Sequence, residues 1–107
     1  NITTGGSSSH GIFLQTTSYN NTIHSNTIKT NQSGIGISLF STAYGNIIYN
    51  NSIITNNSDA FGISLNGNVY SNRIFDNNIS ALRQGNSFGL IWIINRFYLI
   101  ITSGFVC

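Results

Sequence analysis

The stretch NNTIHSNTIKT at residues 20–30 recurs in altered form as GNIIYNNSIIT at residues 45–55. Placed over each other, with Asn21 over Asn46, the two segments share the order Asn, Ile, ring, Asn, Ile. A chain repeats such a phrase when each copy rests on the copy before it, because neighbouring layers then need the same residue type at the same level. The repeat therefore predicts a stack of similar layers.

A second repeated feature is a glycine followed by alternating apolar residues. It begins the segments GIFL, GISL, GISL and GLIW, which recur at nearly equal steps, at Gly11, Gly36, Gly62 and Gly89. An apolar period of two is typical of strands with one buried face, and no segment combines a helical period with an N-cap. We therefore expect an all-β fold in which each layer is a coil of short parallel strands.

The asparagines of the phrase are assigned to the corners of these coils. Two isoleucines five positions apart cannot face the same side of one straight strand, so a bend lies between them, and Asn tolerates the left-handed conformation that a bend requires. The third copy is interpreted as residues 69–74, with Gly67 in place of the leading Asn, which implies a shortened loop before it. We expect Asn26, Asn51 and Asn72 to stack as a structural ladder.

Length and charge limit the other possibilities. The 107 residues suit one domain, and four basic residues against two acidic ones give a net charge of +2. The basic residues are scattered, so we expect no contact with nucleic acid, which needs clustered Lys and Arg. Cys107 is the only cysteine, which excludes an internal disulfide. Because the chain does not open with Met, we expect a processed or truncated piece.

The recurring segments GISL, NIIYNNSI and FGISL resemble the right-handed parallel β-helix repeats of several families. These are NosD-type periplasmic proteins, archaeal surface proteins, pectate lyases, polygalacturonases and mannuronan epimerases. The resemblance covers roughly residues 5–80. It implies a right-handed parallel β-helix of about three to four coils over residues 1–87, located outside the cell, at its surface or in the periplasm. It implies little about activity, because one fold hosts many sites.

A column of rings is the candidate site. His24, Tyr49 and Tyr70 each follow an inward-facing apolar residue, so they are expected to point outward and to stack one coil apart. Tyr19 and Tyr44 form a second, shorter column. Such rings either stabilise the stack or offer a platform to a polysaccharide. The sequence therefore favours a non-catalytic structural or carbohydrate-binding module.

Catalysis is the alternative hypothesis. Polysaccharide hydrolysis needs converging carboxylates, and Asp59 and Asp76, the two acids of the chain, fall on different corners. We expect no catalytic residue here, although the chain could be a piece of a lyase, hydrolase or epimerase whose catalytic coils lie elsewhere.

The NosD-type resemblance also implies a copper-delivery accessory role. Copper takes His, Cys or Met ligands that lie close together. The chain has no Met, and His10, His24 and Cys107 fall at separate positions of the repeat. We therefore expect no metal site and no cofactor.

The final segment of the chain, FGLIWIINRFYLIITSGFVC at 88–107, loses the corner asparagines and is mostly apolar. A charged residue at the middle of a membrane span is costly, and Arg96 lies at the middle of this segment. We expect a terminal coil or cap; a membrane anchor and an end truncated within a larger protein are the alternatives. Neither end resembles a polar cap, so further coils or other copies are expected to meet the open ends.

Overall fold

The computed structural model describes residues 1–56 and 60–81, with side chains up to residue 80, and the backbone of four later strands at 91–93, 96–97, 100–101 and 105–106. Over these residues the protein is all-β, with fifteen strands and no helix. All of the strand pairings are parallel.

The strands form three sheets, which the chain visits in a fixed order. Sheet 1 contains β2 (Ile12–Gln15), β6 (Ile37–Tyr44), β9 (Ile63–Tyr70) and β12 (Ile91–Ile93), with β3 (Ser18–Tyr19) beside β6 and β13 (Arg96–Phe97) beside β9. Sheet 2 contains β4 (Thr22–His24), β7 (Ile47–Tyr49), β10 (Arg73–Phe75) and β14 (Ile100–Ile101). Sheet 3 contains β1 (Ile2–Thr4), β5 (Thr27–Thr30), β8 (Ser52–Thr55), β11 (Asn78–Ala81) and β15 (Phe105–Val106).

One passage of the chain from sheet 1 through sheet 2 to sheet 3 is called a round. Strands β2–β5 make the first round, β6–β8 the second, β9–β11 the third and β12–β15 the fourth, while β1 precedes the first round in sheet 3. Each strand pairs with its counterpart in the next round; in sheet 2, Ile23 lies opposite Ile48, which lies opposite Ile74. The parallel layered architecture predicted from the repeat is therefore present.

The interior is filled by the aliphatic residues that the alternating pattern assigns to it. In sheet 1 the alternation places Ile37 and Leu39 inward, both with no exposed surface. Burial of each such side chain contributes roughly 1.5 to 3 kcal/mol relative to exposure. The buried hydrophobic residues of the interior form one cluster, which comprises Leu14, Ile23, Ile28, Ile37, Leu39, Ala43, Ile48, Ile53, Ile63, Leu65, Val69, Ile74 and Ile79.

The chain turns between sheets at residues with positive φ. The corner between sheets 1 and 2 uses Asn20, Gly45 and Ser71, and the corner between sheets 2 and 3 uses Ser25, Asn50 and Asp76. In each round this residue directly precedes the asparagine of the phrase. Our expectation that the laddered asparagines themselves take the left-handed conformation is therefore wrong; they hold the corner through the hydrogen bonds of their side chains.

The third round is complete, and the predicted shortened loop is wrong. Strand β9 pairs with β6 over its whole length, from Ile63 opposite Ile37 to Tyr70 opposite Tyr44. Val69 consequently lies opposite Ala43, not Ile48. The backbone hydrogen bonds run on past Gly67 as far as the strand end, so the corner comes at the same level as in the second round.

The fourth round is shifted by one position from its predicted register. Ile91 pairs with Ile63, whereas the spacing of Gly62 and Gly89 predicts that Leu90 takes this place. In an apolar run, two adjacent residues suit the same strand position equally well, so the apolar pattern alone does not determine the register. Gly89 and the boundary proposed between residues 87 and 88 lie outside the described residues, and that boundary stays a prediction.

The strands of the described residues are short, and none of these residues is helical. No helix within it has the length and hydropathy to cross a membrane.

Candidate functional site

Two ladders of asparagines hold the corners at which the rings lie. At the corner between sheets 1 and 2, the ladder is Asn21, Asn46 and Asn72. The backbone N–H and Nδ2 of Asn21 donate to Oδ1 of Asn46 at 2.9 and 3.0 Å, and the same two groups of Asn46 donate to Oδ1 of Asn72 at 2.9 and 3.0 Å. The amide oxygens of Asn46 and Asn72 thus each accept two hydrogen bonds from the round before.

The corner between sheets 2 and 3 repeats this arrangement with Asn26, Asn51 and Asn77. Oδ1 of Asn51 accepts the N–H and Nδ2 of Asn26, both at 3.1 Å, and Asn51 donates in turn to Oδ1 of Asn77 at 3.0 and 2.9 Å. The predicted ladder of Asn26, Asn51 and Asn72 is correct in its first two members and wrong in the third. Asn72 belongs to the other corner because β9 runs to its full length.

The ladder amides also tie the strands of neighbouring rounds together. Nδ2 of Asn51 donates to the carbonyl oxygens of Ile23 and Tyr49, each at 3.0 Å. Asn51 has only 1% of its surface exposed, so these bonds satisfy polar groups that water cannot reach. Asn51 is thus hydrogen-bonded to the strand before it in its own round and to the matching strand of the round before.

Two columns of stacked rings stand before these corners. In the tyrosine column, the ring centroids of Tyr19 and Tyr44 lie 5.1 Å apart and those of Tyr44 and Tyr70 4.9 Å apart, with interplanar angles of 8° and 1°. The mixed column consists of His24, Tyr49 and Phe75, with centroid distances of 5.0 and 5.2 Å and angles of 8° and 4°.

The stacking of His24 on Tyr49 was predicted correctly, but the placement of Tyr70 above them is wrong. Tyr70 completes the tyrosine column, and Phe75 occupies the third place of the mixed column. Phe75 was missed, although the phrase itself could have revealed it, because Asn72, Ile74 and Phe75 repeat the spacing of Asn46, Ile48 and Tyr49.

Ring stacking determines which atoms a ligand can reach. A ring between two parallel neighbours has both faces covered, so its edge and substituents remain accessible. Tyr19 at the first round is 51% exposed, compared with 36% for Tyr70. The tyrosine column therefore presents a strip of ring edges and hydroxyl groups, most exposed at Tyr19, instead of the continuous aromatic platform expected from the sequence.

The mixed column carries two polar contacts. The guanidinium carbon of Arg73 lies 5.2 Å from the centre of the Phe75 ring, a cation–π distance. At the other end, Nδ1 of His24 lies 3.1 Å from Oγ of Ser25. The two columns thus differ in chemistry: one carries phenol groups, and the other carries an imidazole and a guanidinium.

A separate aromatic cluster lies on the outer side of sheet 1. Its ring centroids are 4.9 Å apart for His10 and Phe13 and 6.3 Å apart for Phe13 and Phe40, with tilts of 59° and 54°. Burial lowers the pKa of His10, because the charged imidazole loses water there. Its Nδ1 is buried without a hydrogen-bond partner.

The other candidate ligands and acids do not converge within the described residues. No group of three or more His, Cys, Asp or Glu side chains that could hold a metal ion occurs in the part of the chain that the structure describes. Asp76 lies at the corner between sheets 2 and 3 with a φ of 52°. Asp59 and Cys107 lie outside the described residues.

Comparison with known proteins returned no match, either to a protein-family model, to a curated protein or to a solved structure.

Proposed function

We propose that the chain is a non-catalytic structural module, a right-handed parallel β-helix of a surface or periplasmic protein, which contacts polysaccharide along its tyrosine column. The observation that carries this proposal is the continuous stack of Tyr19, Tyr44 and Tyr70, which repeats the same ring edge and hydroxyl in three successive rounds.

The β-helix assignment is supported by the pairing of every round with the next in three parallel sheets. A chain that visits three sheets in the same order, and stacks on itself each time, has the connectivity of a solenoid. The right-handed sense and the surface or periplasmic location rest on the resemblance to NosD-type repeats.

A linear polymer is the ligand that suits a linear array. Each tyrosine offers the same groups about one strand spacing, roughly 4.8 Å, from the next, so an extended chain lying along the column meets equivalent contacts at each level. Each tyrosine presents an apolar ring edge and a hydroxyl, which suit the C–H groups and hydroxyls of a sugar. The chain has only four basic residues in 107, so a neutral glycan is favoured over a strongly anionic one.

The proposal is tested by affinity gel electrophoresis of the whole chain in gels that contain neutral or uronate polysaccharides. Retardation is expected with a neutral glycan. Tyr44→Ala, which interrupts the column at its middle ring, is expected to abolish the retardation. Tyr44→Phe keeps the stacking and removes one hydroxyl, so it is expected to reduce the retardation partially.

Ile54→Ala is the matched control, because Ile54 is an exposed apolar residue of sheet 3 that lies outside both columns. Retardation that is unchanged in Tyr44→Ala, or absent with every polysaccharide, would show that the column only stabilises the stack. Release of reducing ends or unsaturated sugar by the isolated chain would overturn the non-catalytic assignment.

A further inference from the structure

The spacing of the tyrosine column limits which polysaccharides can follow it. The ring centroids of Tyr19, Tyr44 and Tyr70 lie 5.1 and 4.9 Å apart, because the three residues stand opposite one another in parallel strands. The interplanar angles of 8° and 1° mean that the rings keep one orientation from round to round. A polymer that lies along the column therefore meets an equivalent phenol edge at every strand spacing.

A row of polar side chains runs beside the tyrosines on sheet 1. Thr42 precedes Tyr44 by two positions in β6, and residues two apart in a strand share a face. Asn68 precedes Tyr70 by the same distance in β9, and it lies opposite Thr42. Asn68 is exposed and Thr42 is half-buried, whereas the residue between each of them and its tyrosine is buried. A hydroxyl and an amide thus flank the column at the second and third rounds.

The backbone that matches this surface is one whose sugar units advance by one strand spacing. A β-1,4-linked chain of pyranoses with equatorial bonds at both ends of each unit is fully extended. Each of its units advances the chain by nearly the distance that separates two neighbouring strands of a sheet. Chains of α-1,4-linked or β-1,3-linked glucose curve into helices, so their successive units leave a straight column. The spacing therefore favours a β-1,4-linked backbone.

The alternation of units along such a chain limits the sugar as well. Successive units are turned over by half a turn, so they present opposite ring faces to the column. Glucose has equatorial substituents throughout, and both faces of its ring carry only C–H groups. The apolar edge of a phenol ring can thus contact every unit. Mannose carries an axial hydroxyl on one face, so it offers the same contact only at alternate units.

From these observations we propose that the tyrosine column binds an extended β-1,4-linked glucan, with one glucose unit at each round. This inference deepens the polysaccharide proposal and rests on it. Each tyrosine contacts the C–H face of one unit and hydrogen-bonds through its hydroxyl. Thr42 and Asn68 bind the equatorial hydroxyls at the edge of the second and third units.

Isothermal titration calorimetry of the whole chain with four hexasaccharides tests the ligand. They are cellohexaose (β-1,4-glucose), mannohexaose (β-1,4-mannose), laminarihexaose (β-1,3-glucose) and maltohexaose (α-1,4-glucose). Cellohexaose is expected to bind most tightly. Mannohexaose is expected to bind about tenfold more weakly, because an axial hydroxyl that faces a phenol edge loses water without gaining a partner. The two curved oligosaccharides are expected to bind more weakly still.

Two pairs of variants test the site. Tyr70→Phe removes a hydroxyl from the tyrosine column and Tyr49→Phe removes one from the mixed column; only the first is expected to weaken cellohexaose binding, by about twofold to tenfold. Asn68→Ala is expected to have an effect of the same size. Its control is Asn78→Ala, at an exposed position of β11 in sheet 3. The four hexasaccharides are compared on the unaltered chain, so their ranking decides the ligand even if a variant fails to fold.

The outcomes separate this inference from the polysaccharide proposal. If cellohexaose does not bind, or if another of the four binds as tightly, the glucan assignment is wrong, while retardation of the chain by any polysaccharide still supports the broader proposal. If no polysaccharide retards the chain either, both are wrong. Weakening by Tyr49→Phe with no effect of Tyr70→Phe would place the ligand on the mixed column and overturn the site.

Discussion

At the scale of single residues, a few side chains account for the shape of the corners. Asn51 donates from Nδ2 to the carbonyls of Ile23 and Tyr49 and accepts both donors of Asn26. It is buried, while Asn26 is only half-buried and lies at the end of its ladder. The asparagine side chain is therefore expected to contribute more to the free energy of unfolding in the second round than in the first.

Asn51→Ala is expected to lower the free energy of unfolding by about 2 to 4 kcal/mol, because it leaves buried N–H and C=O groups without partners. Asn26→Ala is expected to cost about 1 kcal/mol, since the backbone N–H at position 26 keeps its bond to Asn51. Urea denaturation followed by circular dichroism measures both. Equal losses in the two variants would contradict the ladder geometry.

His10 is expected to make stability depend on pH. Its pKa is lowered by burial, so the unfolded chain takes up a proton at a higher pH than the folded chain does. The contribution of His10 to stability is complete above its ordinary pKa of about 6.5 and is lost as the pH falls through the lowered value.

We expect His10→Phe to reduce the difference between urea midpoints at neutral and at acidic pH. The control is Ile54→Val, which keeps the imidazole and is expected to retain the pH dependence of the unaltered chain. If the urea midpoint of His10→Phe depends on pH as strongly as that of the unaltered chain, groups other than His10 cause the dependence.

At the scale of elements, sheet 1 begins each of its first two rounds with a glycine for a steric reason. A Cβ on Gly36 would lie 2.5 Å from the carbonyl oxygen of Gly62 and would collide with Cγ2 of Ile53. Gly11 meets the equivalent groups, Gly36 and Ile28, one round earlier. The glycine thus permits the close approach of successive rounds where the chain enters β2 and β6.

Gly36→Ala is expected to destabilise the chain by about 1 to 3 kcal/mol or more, as overpacking of a filled interior does. Gly5→Ala is the matched control, because a Cβ there would have no atom within 4 Å. Thermal denaturation of both variants tests the difference. Similar midpoints for Gly36→Ala and the unaltered chain would mean that the rounds separate at little cost.

At the scale of the whole molecule, stability is expected to depend on position within the stack. A residue in a middle round packs against the rounds on both sides, whereas β4 of the first round is the last strand of sheet 2 among the described residues. Ile48 has no exposed surface, and Ile23, its counterpart in the first round, retains 7%.

Ile48→Ala is accordingly expected to cost about 3 to 5 kcal/mol and Ile23→Ala nearer to about 2 kcal/mol, within the range for buried isoleucine. Guanidinium denaturation curves of the two variants provide the comparison. A larger loss for Ile23→Ala would contradict a layered core in which the first round is the less supported one.

The sequence by itself determined the parallel all-β architecture, the recurrence of the phrase from one round to the next and the inward isoleucines. Alternation is visible within each strand and repetition is visible between the first two rounds, and the pairing of Ile23 with Ile48 follows from them.

Only the tertiary structure decided which asparagine and which ring of the third round belong to each ladder and each ring column. Within one round the phrase nearly repeats itself five positions on: Asn21 and Asn26 are equivalent in type, as are the rings of Tyr19 and His24. An alignment of the third round that is shifted by five residues therefore matches residue types almost as well as the true register does. What selects the register is the unbroken pairing of β9 with β6, since slipping that strand would forfeit its backbone hydrogen bonds.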